Sequence, residues 1–268
     1  MNRRSLMTRV AAALAAFVLS GAIGHATEVK VLTSVALKSA LDELSPMFEK
    51  KTGHKLVIDY GLAVEQRKRL LDGERADLII LPLAIMGDLL KQKKVADGLV
   101  NVAGTPVAVA ARAGAAKPDI STVEAFKQAL LTAKSIVYAD PAKGGLSGVV
   151  AARAIEQLGI AEQMKAKTIL VPGAQSGDVV ARGEADLGIA QASEIVPVSG
   201  AQLVGPLPGE LAVMTRFTGG IGAESGSVPA VKALIEFLTG PEAAPSFKAK
   251  GFEAGVKFSI GGQVASGK

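Results

Sequence analysis

Hydrophobic positions along the chain follow two alternating periods. Short, continuous apolar runs predict buried strands, and between them lie segments in which apolar residues recur every three or four positions, as on one face of a helix. Leu37, Leu41, Leu44 and Phe48 show the helical spacing clearly, with Lys and Glu between them. Strand and helix patterns that alternate in this way are typical of βαβ units and predict an α/β fold with mostly parallel sheets.

The predicted elements form two βαβ series with a final pair of helices. Strands are predicted at residues 29–32, 55–60, 76–81, 107–111, 135–139, 168–171, 186–190, 202–204 and 212–215. Helices are predicted at residues 37–48, 64–71, 85–93, 123–132, 149–158, 178–181 and 229–239, with another that starts at Pro241. The run at residues 76–81 is apolar almost throughout, as expected of a strand that is buried on both faces.

One segment of the sequence is echoed later in the chain. Gly-Glu-Arg-Ala-Asp-Leu-Ile-Ile at residues 73–80 resembles Gly-Glu-Ala-Asp-Leu-Gly-Ile at residues 183–189. Each copy places a helix-ending glycine and an aspartate just before a buried strand. The echo predicts two lobes that are built alike, although helix-to-strand junctions of this composition can also converge by chance.

The first 26 residues differ in composition from the rest of the chain. Arg3, Arg4 and Arg9 precede a short apolar run at residues 10–19, and Gly24-His25-Ala26 follows. A basic start, an apolar stretch and a small-residue exit predict a cleaved secretory signal peptide at residues 1–26. An uncleaved membrane anchor is the alternative, but the run is shorter than the roughly 20 residues that a spanning helix needs. We therefore expect an exported, periplasmic protein without a membrane span.

Composition excludes several kinds of site. Of the 30 basic residues three lie in the predicted signal, so 27 basic and 25 acidic residues remain, and this balance gives no reason to expect nucleic-acid binding. The chain has no cysteine, and apart from His25 its only histidine is His54. We therefore expect no metal site, no Ser-His-Asp triad and no cofactor. The absence of tryptophan argues against an aromatic stacking platform.

Five segments carry a family resemblance. They are Val31-Leu32-Thr33-Ser34-Val35-Ala36-Leu37, residues 73–81, Tyr138-Ala139-Asp140-Pro141, residues 183–189, and residues 231–252 with Leu234-Ile235 and Gly251-Phe252. In this order and spacing the chain resembles the type 2 periplasmic solute-binding proteins, and among them the molybdate-binding proteins of ABC transporters. The resemblance covers nearly all of the chain after the signal.

The resemblance implies a two-lobed fold with a ligand in the cleft between the lobes. Each lobe would be a mostly parallel sheet flanked by helices, and two crossover strands would join them. We expect lobe 1 to comprise residues 27–106 and 206–268, and lobe 2 to comprise residues 107–205. Ligand contacts would come from loops at the carboxyl ends of strands, where the amide groups at helix starts favour an anion.

The chain departs from the family's molybdate site at three positions. Members of the family use two serines and a tyrosine. The matching positions here are Ala36, the run Leu62-Ala63-Val64, which has no hydroxyl, and Gln191, although Ser34 lies near the first. A buried oxyanion would lose several donors at once, at a cost of about 1–3 kcal/mol each. The departures make molybdate a doubtful ligand and favour a different anion, such as an organic carboxylate.

The loop from Asp140 to Gly148 is the most suggestive stretch for ligand binding. Its glycines allow a close approach of the backbone, Lys143 can add positive charge, and Gly144 and Ser147 can contact the ligand. The alternative is an ordinary strand-to-helix turn in which Ser147 caps the helix. The loop lacks a Gly-Lys-Ser/Thr ending, so nucleotide binding is not indicated.

The remaining predicted contacts come from other strand-to-helix loops. They are Thr33, Ser34, Val64, Arg67, Ser176, Gly177 and Gln191. Arg67 or Arg69 could clamp a carboxylate with two hydrogen bonds, although most of that charged helix start is expected to face solvent. Thr33 and Ser34 could alternatively serve as a solvated helix cap.

These observations predict a periplasmic receptor, acting as a monomer, that captures a small anion and delivers it to an ABC permease. The alternative is an isomerase on the same scaffold, because the family also includes an aconitate isomerase. Moving a double bond in a tricarboxylate requires a base to take a proton and an acid to return one. Glu65 and Lys143 are the first candidates for those roles, and His54 and Tyr60 are further candidates.

Overall fold

The structure is a computed structural model that describes residues 26–254. The predicted signal peptide at residues 1–26 therefore lies, apart from Ala26, outside the described residues. The first half contains β1 (Glu28–Ser34), a 3-10 turn (Val35–Leu37), α1 (Lys38–Thr52), β2 (Lys55–Gly61), α2 (Ala63–Leu71), β3 (Leu78–Pro82), α3 (Leu83–Lys91) and β4 (Val100–Arg112).

The second half begins with α4 (Val123–Thr132), β5 (Ile136–Ala139), a 3-10 turn (Pro141–Lys143), α5 (Leu146–Gln157), α6 (Ala161–Lys165), β6 (Thr168–Val171), α7 (Ser176–Ala181), β7 (Leu187–Gln191) and α8 (Ala192–Ile195). It ends with β8 (Ala201–Pro206), a 3-10 turn (Gly209–Leu211), β9 (Met214–Ile221), α9 (Val228–Thr239), α10 (Ala244–Ala249) and β10 (Glu253–Ala254). No helix among these is long and apolar enough to cross a membrane.

The strands form one continuous hydrogen-bonded path in the order β2-β1-β3-β9-β4-β7-β5-β6. Three strands at each end of the path are parallel, namely β2-β1-β3 and β7-β5-β6. The other pairs, β3-β9, β9-β4 and β4-β7, are antiparallel, and β8 and β10 also pair with β4. The chain is thus an α/β protein with two groups of parallel strands, as the alternating pattern predicts.

Strand β4 belongs to both groups of strands. Its first half pairs with β9 as far as Pro106, and its second half pairs with β7 from Val107 onward. We call the group around β1, β2, β3 and β9 lobe 1, and the group around β5 to β8 lobe 2. The chain returns from lobe 2 through residues 207–213, which include the 3-10 turn at Gly209–Leu211. The exact division of the chain into lobes stays a prediction.

Each lobe buries both faces of its sheet. In lobe 1, Leu78 and Ile80 join one apolar cluster with α1, α9 and α10, while Ile79 and Leu81 join another with α2 and α3. In lobe 2 the odd-numbered residues of β4 from Val107 pack toward α4 and α5, and the even-numbered ones toward α7 and α8. This two-residue period explains why these strands are apolar throughout.

The repeated sequence motif has the same geometry in both lobes. Gly73 and Gly183 end their helices with φ angles of +104° and +75°. The carboxylate of Asp77 accepts a hydrogen bond from the backbone N–H of Lys30, and that of Asp186 accepts one from Lys134. In each lobe the aspartate therefore joins the start of one parallel strand to its neighbour, which confirms that the lobes share this junction.

Several elements differ from the sequence-based expectation. Strand β4 begins seven residues earlier than predicted, at Val100, because its first half contains polar residues, Gly104 and Pro106 that conceal the strand pattern. The short helices α6 and α8 were not predicted, since four or five residues are too few to show a helical period. The predicted bounds of α4 match the observed ones. The helix begins after Thr122, whose hydroxyl oxygen accepts a hydrogen bond from the backbone N–H of Ala125.

Candidate functional site

The carboxyl ends of the parallel strands of both lobes meet at one cleft. The start of α2 in lobe 1 contacts two loops of lobe 2: a Cβ placed on Gly144 would lie 2.2 Å from Cγ2 of Val64, and one on Gly173 would lie 3.4 Å from Cδ2 of Leu62. Leu146, the first residue of α5, packs against the apolar cluster of lobe 1. The predicted contacts Val64 and Gly144 thus lie together across the cleft.

On the lobe 1 side, Thr33 and Ser34 end strand β1 and are both buried. The hydroxyl of Thr33 donates to the carbonyl oxygen of Ile80 at 2.9 Å, which ties β1 to β3. The hydroxyl of Ser34 accepts from the backbone N–H of Ala36 at 3.4 Å and caps the following 3-10 turn. Both hydroxyls therefore have structural partners, and Ser34 retains its donor for a ligand.

Gln66 of α2 is completely buried beneath this edge, and it was not among the predicted contacts. Its Nε2 donates to the carbonyl oxygens of Thr33 and Asp59 at 3.4 and 3.2 Å. Gly61 makes room for this amide, since a Cβ there would lie 2.8 Å from Nε2. Gln66 therefore fixes the start of α2 to the ends of β1 and β2. Its position between buried Ala63 and Leu70 at helical spacing could have revealed it.

The arginines of α2 are engaged in ion pairs within lobe 1. Arg67 pairs with Asp88 of α3. Arg69 bonds to Asp59 at 2.7 Å and to Glu74 at 2.6 Å, and this guanidinium holds the pKa of both carboxyl groups below its usual range. A carboxylate clamp by Arg67 or Arg69 would first require these pairs to open, so the clamp stays a prediction that this geometry does not favour.

On the lobe 2 side, the loop after β5 is held tightly against the strand. The carboxylate of Asp140 caps the 3-10 turn by accepting from the backbone N–H of Ala142 at 2.9 Å. A Cβ on Gly148 would overlap the carbonyl oxygen of Ala139, so only glycine allows α5 to pack here. Gly145 is the N-cap of α5, whereas Ser147 is a buried residue of its first turn. Lys143 is exposed at the cleft rim and has no ion pair among the described residues.

Three buried polar groups cluster at the ends of β6 and β7. Ser176 begins α7, Gln191 ends β7, and Ser193 lies in α8, and each is 3 % exposed or less. Ser176 Oγ and Ser193 Oγ have no hydrogen-bond partner in the described part of the protein, whereas the Gln191 side chain faces the backbone N–H of Glu194 in a capping box at the start of α8. Buried polar atoms are nearly always paired, so the two unpaired hydroxyls indicate a place where a ligand or water completes them. Ser176, Gly177 and Gln191 were predicted contacts, whereas Ser193 was not.

Glu194 lies beside this cluster. Its carboxylate accepts a hydrogen bond from the backbone N–H of Gln191 at 3.3 Å. Burial raises the pKa of the Glu194 carboxyl group to about 7, against the weaker opposing effect of that hydrogen bond. A half-buried carboxyl group that forms no ion pair with any residue from 26 to 254 thus adjoins the predicted lobe 2 contact.

A hydrogen-bonded relay crosses between the lobes behind the cleft. The hydroxyl of Thr105, in the middle of β4, accepts from the backbone N–H of Ser193 at 3.1 Å and donates to the carbonyl oxygen of Gly251 at 2.9 Å. The buried Thr105 therefore ties α8 of lobe 2 to the end of lobe 1. Nothing in the local sequence pattern indicated this role.

The four candidate acid-base residues occupy different places. Glu65 and Lys143 are both exposed at the cleft rim, each next in sequence to one of the touching residues Val64 and Gly144. His54 precedes β2 at the opposite edge of the sheet, where its Nδ1 accepts from the backbone N–H of Thr27. The hydroxyl of Tyr60 donates to Asp42. Burial raises the pKa of the Tyr60 hydroxyl, and the hydrogen bond to Asp42 raises it further. The geometry therefore leaves Glu65 and Lys143 as the pair at the cleft.

A cavity lies away from the loops at which the two lobes meet. A cavity of about 730 Å³ opens at the amino ends of the lobe 2 strands, lined by Ala111, Arg112, Ala125, Gln128, Ala129 and Asp186 among others. It contains none of the predicted contacts. In the described residues, no cluster of three or more Asp, Glu or His side chains is placed to hold a metal ion.

A two-lobed α/β fold with unpaired polar groups at the meeting strand ends defines a solute-binding protein. The chain belongs to the family of bacterial extracellular solute-binding proteins, whose sequence profile matches residues 29–253. It is 34 % identical to an aconitate isomerase from Pseudomonas sp over 234 residues, which cover 85 % of this chain and 88 % of that protein. It is 25 % identical to the molybdate-binding protein ModA of Escherichia coli (strain K12) over 256 residues, 94 % and 99 % of the two chains.

The fold also matches solved structures. The substrate-binding domain of a molybdenum ABC transporter protein from Clostridium difficile aligns with a TM-score of 0.68 at 18 % identity, over 85 % of this chain and 99 % of that domain. The expected resemblance to ModA-like, type 2 solute-binding proteins is therefore confirmed, and with it the two-lobed fold.

Proposed function

We propose that this protein captures a small organic carboxylate in its cleft and presents it to an ABC permease. The observation that carries the proposal is the pair of buried, unpaired hydroxyls of Ser176 and Ser193, beside Gln191 at the lobe 2 edge. Both hydroxyls can donate hydrogen bonds to carboxylate oxygens, whereas Gln191 Oε1 can only accept them. Lys143 at the rim adds a positive charge that is free of ion pairs with the described residues.

The choice of a carboxylate over molybdate follows from the sequence and the relatives. The run Leu62-Ala63-Val64 and Gln191 stand where the molybdate-binding resemblance leads us to expect hydroxyl-bearing residues. The relative with 34 % identity is an aconitate isomerase, whereas the ModA proteins of Escherichia coli and Azotobacter vinelandii are 25 and 27 % identical. The residues at 1–26 and the extracellular family support export to the periplasm through a cleaved signal.

A thermal-shift panel tests this function directly. The panel contains molybdate, tungstate, sulfate, phosphate, citrate and trans-aconitate, each with the purified mature protein. A ligand present at 100 times its Kd adds about 2.7 kcal/mol to the free energy of unfolding, which raises Tm by roughly 5–10 °C for a chain of this size. We expect the largest shift from a carboxylate. If molybdate gives the largest shift, the proposed ligand class is wrong.

An isomerase is the second candidate, favoured by the identity to the Pseudomonas enzyme. A base at the cleft would remove a proton from the methylene carbon of aconitate, the double bond would move by one carbon, and a proton would add to the former vinyl carbon, which becomes the new methylene. The substrate keeps its composition. Glu65 and Lys143 flank the touching residues of the two lobes and are the candidate base and acid.

Turnover separates the two candidates. Purified protein is incubated with cis-aconitate, and formation of the trans isomer is followed by chromatography. Steady conversion beyond one equivalent of protein, lost in Glu65→Gln or Lys143→Met, supports the isomerase. Binding without conversion supports the receptor.

A further inference from the structure

The geometry points to a proton-linked cleft: we propose that Glu194 takes up a proton when an anion binds at the end of β7, so that ligand capture depends on pH. This inference rests on the proposed function and concerns the regulation of the same site.

Glu194 lies beside the groups that would bind the anion. Strand β7 ends at Gln191 and α8 begins with the next residue, so Glu194 lies three residues beyond the predicted lobe 2 contact. Its carboxylate accepts from the backbone N–H of Gln191 itself at 3.3 Å. The residue before Glu194 is Ser193, whose buried hydroxyl has no partner in the described structure. A bound anion that uses these groups would therefore lie close to the carboxyl group of Glu194.

Few charged side chains lie on the elements that pack against Glu194. Helix α8 packs against β4, β7, β8, α7 and the turn at Val35–Leu37. The charged side chains on these elements are Asp178 on α7 and Arg112 at the end of β4. Arg112 lies five residues along β4 from Val107, the partner of Gln191, which corresponds to roughly 17 Å. None of the ion pairs in the described residues includes Glu194, so no cation there offsets its negative charge.

The ionised and the protonated forms of Glu194 would have opposite effects on the binding of an anion. An ionised Glu194 would repel an anion beside it, and solvent screens this repulsion less than at the surface because the residue is half-buried. A protonated Glu194 would not, and its hydroxyl could donate a hydrogen bond to the anion. Burial raises the pKa of this group to about 7, so both states are populated near neutral pH.

The test compares the wild-type protein with Glu194→Gln, which keeps the size of the side chain and an oxygen acceptor for the Gln191 N–H. Trans-aconitate is titrated into each protein by calorimetry between pH 6 and pH 8. The ratio of the two Kd values cancels the ionisation of aconitate itself. The protein with protonated Glu194 is the form that binds the anion well, so the binding-competent fraction falls as Glu194 ionises. The affinity of the wild type relative to the variant should therefore fall about tenfold between pH 6 and pH 8.

Asp178→Asn is the matched control, since it removes the only other carboxylate on the elements packed against α8. We expect its Kd ratio to wild type to stay constant with pH. If both wild type and Glu194→Gln bind trans-aconitate with a ratio that does not change with pH, the inference is overturned while the proposed function stands. If neither protein binds at any pH, the proposed function fails and the proton linkage fails with it.

A second measurement does not depend on the variant's affinity. Calorimetry of wild-type protein at pH 7 in two buffers of different ionisation enthalpy reports the protons taken up on binding. We expect uptake by wild type to exceed that of Glu194→Gln by up to half a proton, since a group at its pKa is half ionised. Equal uptake by the two proteins would contradict the proposal.

Discussion

Gly144 of lobe 2 lies directly against Val64 of lobe 1, with no room between them for a methyl group, since a Cβ on Gly144 would come within 2.2 Å of Cγ2 of Val64. Val64 lies in the first turn of α2 in lobe 1, and Gly144 lies in the loop after β5 in lobe 2. Their contact therefore reports the closed arrangement of the lobes.

Gly144→Ala should weaken ligand binding. The new methyl group would have to displace Val64, whose β-branched side chain has few alternative rotamers, so the closed arrangement becomes less favourable. Calorimetric titration with trans-aconitate should show a Kd at least tenfold higher than that of wild type. Truncation of the facing residue in the double variant Gly144→Ala/Val64→Ala should recover part of this loss.

A matched control separates the contact from backbone strain. Gly144 has a φ of +82°, and Gly53 has a φ of +76° with nothing within 4 Å of its added Cβ. Each substitution to alanine should cost about 1–2 kcal/mol of stability from the left-handed backbone alone. Gly53→Ala should leave the Kd unchanged. Equal Kd values for Gly144→Ala and wild type would contradict a closed arrangement on binding.

The shared junction aspartates should differ in their contribution to stability. Asp77 accepts from the Lys30 backbone and from the hydroxyl of Ser225 at 2.7 Å, and it is half-buried, whereas Asp186 is exposed and accepts from the Lys134 backbone. Asp77→Ala should lower the free energy of unfolding by about 2 kcal/mol and Asp186→Ala by about 1 kcal/mol or less. Urea unfolding followed by circular dichroism measures both, and the reverse ranking would contradict this reading of the junction.

Lys93 offers a stabilising substitution. It is the non-glycine residue with a positive φ in the described structure, at +56°, just after α3. Lys93→Gly relieves this strain and should raise the free energy of unfolding by roughly 0.5–1 kcal/mol, after the entropy cost of glycine is subtracted. The neighbouring Lys94→Gly, which relieves no strain, should destabilise the protein. A loss of stability in Lys93→Gly would show that its backbone is not strained.

Glu194 should also make the stability of the ligand-free protein depend on pH. Its pKa rises to about 7 in the folded state from about 4.5, so the folded state holds the proton more tightly than the unfolded state does. The free energy of unfolding should therefore decrease as pH rises from 4.5 through 7. Glu194→Gln removes this dependence, and it should be more stable than wild type at pH 8 by on the order of 2 kcal/mol.

The comparison at low pH is the control for that prediction. At pH 4.5 wild-type Glu194 is protonated in the folded state, so the two proteins should have similar melting temperatures. A constant difference between wild type and Glu194→Gln at all pH values would indicate a packing effect instead of a charge effect.

The periodicity of apolar residues was sufficient to predict the fold class, because most helices and strands bury one regular face. The α1 pattern of Leu37, Leu41, Leu44 and Phe48 and its stop at Gly53 both recur in the structure. Strand β4 was recognised only from Val107, because Gly104 and Pro106 interrupt the apolar run of its lobe 1 half. The motif at residues 73–80 and 183–189 predicted the shared junction because an aspartate is needed there to cap a neighbouring strand.

The candidate site was less accessible to sequence reasoning. Strand-to-helix junctions suggested Val64, Gly144, Ser176 and Gln191 as candidate contacts, because parallel strands bring their carboxyl ends together. Partners of side chains were not visible, so the pairing of Arg67 with Asp88 and the burial of Gln66 appear only in three dimensions. The relay through Thr105 joins residues 88 and 146 positions apart, a separation that no local pattern encodes.

Hydrogen exchange with and without trans-aconitate tests the central claim that the cleft between the lobes is the carboxylate site. The account predicts that saturating ligand slows amide exchange together at residues 61–65, 143–148, 175–177 and 191–194, which belong to both lobes. Protection confined to the lobe 2 cavity around residues 111–133, or to one lobe alone, would contradict it.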